Sequence, residues 1–230
     1  MTTIASNLQR VHERIAQACA QAHRDVNEVT LLAVSKTFGP DAVRDAHSAG
    51  QRAFGENYIQ EAVEKIQMLG SLPVEWHCIG PVQTNKTRLV ATHFDWTHSL
   101  DRVKVAQRLS EQRPDGMPPL QVCIQVNVDG GATKAGVAPA DALALAREIV
   151  QLPRLKLRGI MTIPEPAADF VSQKAVHLRA KTLFNDLRDA GLVLDTLSMG
   201  MTADLEAAIA AGSTMVRVGT AVFGGRARKG

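Results

Sequence analysis

Lys36 sits at the end of a short apolar run, Val29-Thr-Leu-Leu-Ala-Val34, with only Ser35 between. A lysine is rarely buried without a partner. At the mouth of a buried strand, desolvation favours its neutral amine, the form that condenses with a carbonyl to a Schiff base. The bland alternative is a lysine that lays its stem on apolar surface and its ammonium in water. Far along the chain, Ser198-Met-Gly-Met201 and Gly219-Thr220 combine glycines with hydroxyl donors. Glycines let backbone N–H groups approach an anion closely, so the two segments read as a phosphate cup or, alternatively, as tight turns. Arg217 lies among Met215, Val216 and Val218 in an apolar stretch. By alternation it shares a face with Met215 and Gly219. It offers donors only, so it needs an acceptor inside the fold, or a carboxylate such as Asp204 if it faces outward. A Schiff-base lysine, a phosphate cup and a donor-only arginine together describe one cofactor, pyridoxal 5′-phosphate (PLP). Lys36 would take its aldehyde, the late loops its phosphate and Arg217 its ring nitrogen. Asn57 and His77 are candidates for the ring or its hydroxyl.

These residues must be brought together by something, and the hydrophobic pattern says what. Ile4, Leu8, Val11 and Ile15 form one helical stripe, so residues 1–24 read as an N-terminal helix. Strands are predicted at 29–34, 52–54, 74–79, 94–97, 120–127, 155–162, 196–198 and 214–218, with a helical pattern between each consecutive pair. Strict alternation implies a parallel sheet. Eight such units in 230 residues, slightly under the usual ~250, imply a closed (β/α)8 TIM-type barrel. An open doubly wound sheet is the other possibility. It usually carries a glycine-rich turn after its first strand, where this chain has Ser35-Lys36-Thr37-Phe38-Gly39. No Pro-, Gly- or Ser-rich linker divides the chain, so residues 1–230 read as one domain, ending in a basic tail over 226–230. In such a barrel the strands' C-terminal ends carry the site. Lys36, Asn57, His77, Ser198, Arg217, Gly219 and Thr220 all fall there.

Composition removes other classes. Apolar residues make up 45% and charged residues 21%, the balance of a globular protein. No run reaches the ~18 apolar residues of a membrane span. The net charge of +3 and 4% aromatics lack the broad basic face with aromatics that nucleic acid wants. Three cysteines, Cys19, Cys78 and Cys123, with no apolar leader-like block at the start, read as reduced thiols in the cytoplasm. No HExxH or Cys/His ligand spacing appears, so no metal is expected. His93 and His98, flanking the fourth strand, read as surface or core residues. Glu165, between two prolines, reads as an exposed turn.

Val34-Ser35-Lys36-Thr37, Phe54-Gly55-Glu56-Asn57, Trp76-His77-Cys-Ile79-Gly80, Ser198-Met-Gly200-Met201 and Arg217-Val-Gly219-Thr220 together resemble the YggS/PROSC family of PLP homeostasis proteins. The resemblance covers essentially the whole chain. It implies a barrel like the N-terminal domain of alanine racemase and a part in balancing free and bound vitamin B6. It further implies that Lys36 is the PLP-linked lysine, that Arg217 faces the pyridine nitrogen, and that Ser198, Gly219 and Thr220 hold the phosphate. The loop Gly130-Gly131-Ala132-Thr133-Lys134 departs from the family pattern in being less polar, and no role is assigned to Lys134.

Three functions compete. The first is a PLP carrier that keeps the cofactor as a reversible Schiff base, delivers it to apo-enzymes and turns over little. The second is a PLP enzyme such as an amino-acid racemase, which needs a base on each face of the bound substrate. The chain has one tyrosine, Tyr58, directly after Asn57, and an arginine at the ring nitrogen weakens the electron sink. The third is an aldolase in which Lys36 takes the substrate itself. The carrier reading is preferred. With no long apolar stripe left over once the barrel helices are assigned, a monomer is expected.

Overall fold

The stripe of Leu8, Val11 and Ile15 folds as α1 (Ile4–Gln21), with Thr3 as N-cap accepting from the Ser6 amide at 3.2 Å. The computed structural model describes residues 3–131 and 134–225, and the basic tail expected over 226–230 lies outside them. Strands and helices then alternate: β1 (Thr30–Val34), α2 (Pro40–Ser48), β2 (Ala53–Glu56), α3 (Ile59–Leu69), β3 (Glu75–Cys78), α4 (Thr87–His93), β4 (Trp96–Leu100), α5 (Val103–Gln112), β5 (Leu120–Gln125), α6 (Ala142–Ile149), β6 (Leu155–Met161), α7 (Phe170–Asp189), β7 (Thr196–Ser198), α8 (Leu205–Ala210), β8 (Met215–Val218) and a short α9 (Thr220–Phe223). The strands are parallel and close in sequence order, with β8 returning to β1 through the Leu32–Arg217 register. The expected (β/α)8 barrel is therefore the fold, and an open sheet is excluded because no strand is left at an edge.

α1 seals the seam where the barrel closes. It packs on α8 and α9. Leu8, Val11 and Ile15 are at most 2% exposed, and each such burial stabilises by about 1.5–3 kcal/mol. Polar contacts fix the register: Asn7 donates to the Val222 carbonyl at 2.8 Å, and Arg14 holds the Glu206 carboxylate at 2.9 and 3.0 Å. Arg14 also donates to the Thr202 carbonyl at 3.0 Å, which ties α1 to the loop after β7.

The fourth strand differs from expectation. It begins at Trp96 rather than Phe94, because Phe94 caps α4 through its amide on the Val90 carbonyl. It also runs on to Leu100 and gains one residue over β5 between Thr97 and Leu100, a bulge. His98 therefore lies within the strand and is fully buried, one of the two places allowed for it. Inside the barrel, Leu32, Ala53 and Met215 make one apolar cluster and Trp96, Cys123 and Met161 another. Among the described residues, no helix is long and apolar enough to cross a membrane.

Candidate functional site

The chain leaves β1 through a turn closed by the Phe38 amide on the Ser35 carbonyl at 3.1 Å, with Lys36 and Thr37 at its centre. Thr37 has φ +69°, in the left-handed region that a β-branched residue rarely enters. Its amide donates to the Glu61 carboxylate at 3.1 Å, which helps hold that conformation. The turn carries Lys36 to the strand's C-terminal end, half-buried, and its amine makes no hydrogen bond or salt bridge among the described residues. Directly beneath, Glu56 Oε1 accepts from Ser35 Oγ at 2.6 Å and from Lys65 Nζ at 2.7 Å, and Lys65 also donates to the Ser35 carbonyl at 2.9 Å. Burial pushes the Glu56 carboxyl above its ordinary range, and Lys65 opposes that rise.

Next to Lys36, Asn57 follows β2. A Cβ on Gly80 would stand 2.1 Å from the Asn57 carbonyl oxygen, so only glycine allows the loop after β3 to press against it. Asn57 Oδ1 is buried without a hydrogen-bond partner among the described residues. It is an acceptor in want of a donor.

The loop after β7 turns at Gly200, with φ +92°, and a Cβ there would lie 2.4 Å from that of Ala208. The loop is pinned by the Met201 amide donating to Asp204 Oδ1 at 2.6 Å, and Asp204 Oδ2 accepts from His177 Nε2 at 2.8 Å. Thr202 and Ala203 then face Gly219 and Thr220 across the same hollow. Thr220 opens α9, whose first residues carry backbone N–H groups that no helical carbonyl accepts.

Arg217 points into the barrel. Its Nη1 donates to Ser198 Oγ at 2.9 Å and its Nη2 to the Thr162 carbonyl at 2.8 Å. Asp204, its alternative partner on the helix side, is engaged by His177 instead. Burial lowers the Arg217 guanidinium to about 10, while Asp204 opposes the shift.

These groups line one cavity of about 400 Å³, within the usual range for a small-molecule site. Of the residues singled out from sequence, Lys36, Asn57, Arg217, Gly219 and Thr220 meet there. His77 and Ser198 are not among the residues that line the cavity. Both are fully buried in the barrel below it, His77 bonded to Glu75 and His98, Ser198 to Arg217 and His98. Thr202, Ile79 and Ile163 were missed. Thr202 carried a signal, a hydroxyl residue just before the α8 pattern. Asn127 folds onto its own loop, accepting from the Gly130 amide at 3.0 Å. Lys134 bridges Asp129 at 2.9 Å and Glu165 at 3.2 Å, so the Glu165 carboxylate is engaged at an exposed turn, as expected.

The family model for the alanine racemase N-terminal domain matches residues 6–227. A pyridoxal phosphate homeostasis protein of Pseudomonas aeruginosa is 58% identical over 226 residues, covering 98% of this chain and 97% of its own. The chain belongs to the pyridoxal phosphate homeostasis family. Its relative in Escherichia coli is 51% identical over 229 residues, covering 98% of each chain. Among solved structures, PipY of Synechococcus elongatus with PLP bound superposes with a TM-score of 0.80 at 37% identity, covering 91% of this chain and all of PipY. Barrel and family thus agree with the resemblance drawn from the five sequence motifs.

Proposed function

We propose that this chain binds PLP in intracellular vitamin B6 homeostasis, holding it reversibly on Lys36 and delivering it to apo-enzymes rather than using it in turnover. One observation carries the reading. The cavity gathers an unpartnered amine, an orphaned Asn57 acceptor, a buried guanidinium and loops of small residues at a helix start. That donor and acceptor set fits a phosphorylated aromatic aldehyde. Lys36 would take the aldehyde, Asn57 the ring or its hydroxyl, Arg217 the ring nitrogen, and Gly219 and Thr220, with the neighbouring Thr202, the phosphate. Once bound, PLP supplies an electrophilic carbonyl conjugated to a ring that can accept electrons. The rest is done by the chain's own residues. Lys65 and Glu56 hold the turn from which Lys36 rises. Arg217, a donor only, would need the ring nitrogen as an acceptor, so that nitrogen would stay unprotonated and the electron sink weak.

Racemisation would need a second base facing the cavity. Tyr58 is 54% exposed and lines a separate hollow with Pro81 and Lys86, which favours storage over catalysis. An aldolase would have little use for Arg217 and the phosphate loops beside its lysine. Three free, buried cysteines fit a reducing cytoplasm, and we take the chain as a single-domain monomer. The test is transfer. Holo-protein mixed with an apo PLP-enzyme should restore that enzyme's activity. It should interconvert or degrade no amino acid above the free-PLP background. Turnover near about 1 s⁻¹, the low end for enzymes, and lost in Lys36→Ala, would overturn the carrier reading.

A further inference from the structure

Below the cavity, five polar side chains run in single file through the barrel. Arg217 Nη1 meets Ser198 Oγ at 2.9 Å, Ser198 Oγ meets His98 Nδ1 at 3.0 Å, His98 Nε2 meets His77 Nδ1 at 2.9 Å, and His77 Nε2 meets Glu75 Oε1 at 2.8 Å. The three middle groups are at most 1% exposed, whereas Glu75, at the start of β3 and so at the opposite mouth, is half-exposed. The file spans four strands, β3, β4, β7 and β8.

The two ends set its direction. Arginine has only donors and an ionised carboxylate only acceptors. Glu75 is held in its ionised form by the bond from His77. His77 therefore donates through Nε2, and as a neutral ring it offers Nδ1 as an acceptor. His98 must then donate through Nε2, which leaves its Nδ1 as an acceptor, and the Ser198 hydroxyl supplies the proton. Ser198 Oγ is left to accept from Arg217. Burial, which opposes charge on both imidazoles, agrees with neutral rings. All four bonds point one way, so their dipoles add from the cation toward the carboxylate.

The geometry points to Glu75, His77, His98 and Ser198 as positioning residues, a one-way hydrogen-bond chain that sets the guanidinium of Arg217 against the ligand in the cavity. Arg217 is 4% exposed and bonds no carboxylate among the described residues. With Nη1 on Ser198 and Nη2 on the Thr162 carbonyl, its plane is fixed and its remaining N–H groups are free for a ligand. A merely structural polar core would fill the barrel without governing how that plane sits. The ligand half of the inference rests on the PLP reading above, and the chain itself does not.

The experiment has two arms. In the ligand-free protein at neutral pH, nitrogen-15 NMR of the side chains should find His77 and His98 both neutral and both protonated on Nε2. A proton on Nδ1 of either ring, or an imidazolium, would overturn the direction. In the same protein Ser198→Ala should speed exchange of the Arg217 guanidinium protons and Ser198→Thr should not; unchanged exchange in the alanine variant would overturn the positioning. In the second arm, PLP and pyridoxal are titrated into the wild type and both variants. Losing one hydrogen bond to a charged group weakens binding by roughly 10-fold or more. Ser198→Ala should lose that factor equally for both ligands, because Arg217 serves the ring they share, and Ser198→Thr should regain it. A loss confined to PLP would make Ser198 a phosphate ligand instead, and no loss would sink the role. If the wild type takes no PLP on Lys36, the proposed function fails, while the ligand-free arm still decides the chain.

Discussion

Two lysines flank the backbone of Ser35 and live in opposite conditions. Lys65 is 4% exposed, bonds Glu56 and the Ser35 carbonyl, and is part of the packed layer under the rim. Lys36, one residue beyond, is half-buried at the mouth with no partner among the described residues. The same contrast runs around the barrel. The rim offers unsatisfied groups, Lys36 and Asn57 Oδ1, while the interior is a closed circuit from Arg217 to Glu75. A residue that must react with a visitor is left free, and below it Lys65 bonds both Glu56 and the Ser35 carbonyl, which keeps the turn in place. Pairing and burial, rather than residue type, separate a reactive lysine from a structural one.

The largest expected effect comes from exchanging the fates of these lysines. Lys36→Ala should abolish the borohydride-reducible PLP adduct completely and shift stability by no more than about 0.5 kcal/mol, as surface changes do. Lys65→Ala should do the reverse. It strands a buried carboxylate whose Oε2 already has no partner, and breaking such a pair costs about 3–5 kcal/mol. The adduct on Lys36 should persist in whatever fraction remains folded. Denaturant melts with mass spectrometry after borohydride read both outcomes, and an adduct surviving in Lys36→Ala would erase the contrast.

The rim can also be divided within itself. The loops at Thr202 and Gly219-Thr220 face the cavity with backbone and hydroxyl donors, and several charge-assisted bonds at about 1.5–3 kcal/mol each depend on a phosphate. Pyridoxal should bind at least about 100-fold more weakly than PLP, at ~1.4 kcal/mol per decade. Equal affinities in a spectrophotometric titration would reduce those loops to turns.

Much of this was legible in the sequence because the signals were local. An apolar run ending in one lysine, and glycines beside hydroxyls late in the chain, placed Lys36, Gly219 and Thr220 by strand-end logic alone. Alternation put Arg217 on the Met215 face, where it lies. What the sequence hid was depth. His77 and Ser198 are tied into the file of hydrogen bonds inside the barrel, a placement set by contacts between strands far apart in sequence. His98 was obscured by the bulge in β4, which arises from cross-strand register and leaves no local mark. The Glu75-to-Arg217 file joins residues up to 142 positions apart, a proximity no periodicity encodes.

The smallest effect tests the interior against the rim by pH. Burial lowers both His77 and His98, the latter well below 6.5, with the Arg217 charge acting in the same direction on His98. As pH falls past 6.5 the unfolded chain protonates these imidazoles while the folded one keeps them neutral. The unfolded state then binds more protons, so stability rises with pH in this window and falls on acidification. Each imidazole contributes up to ~1.4 kcal/mol per pH unit. Glu56 works the other way. Its raised carboxyl keeps its proton in the folded state above 4.5, so its share of stability declines as pH rises from there. The wild-type slope is therefore a difference of opposing terms, and a variant must isolate the imidazole. His98→Gln removes one titrating ring from the interior, and its slope between about pH 5 and 6.5 should be shallower than wild type by up to ~1.4 kcal/mol per unit. Thr220→Ala, on the rim, removes no titrating group and should run parallel to wild type. Urea melts at half-unit pH steps decide it: parallel lines for all three proteins would mean that His98 titrates in the folded barrel as it does in the open chain, and the closed interior circuit would be wrong.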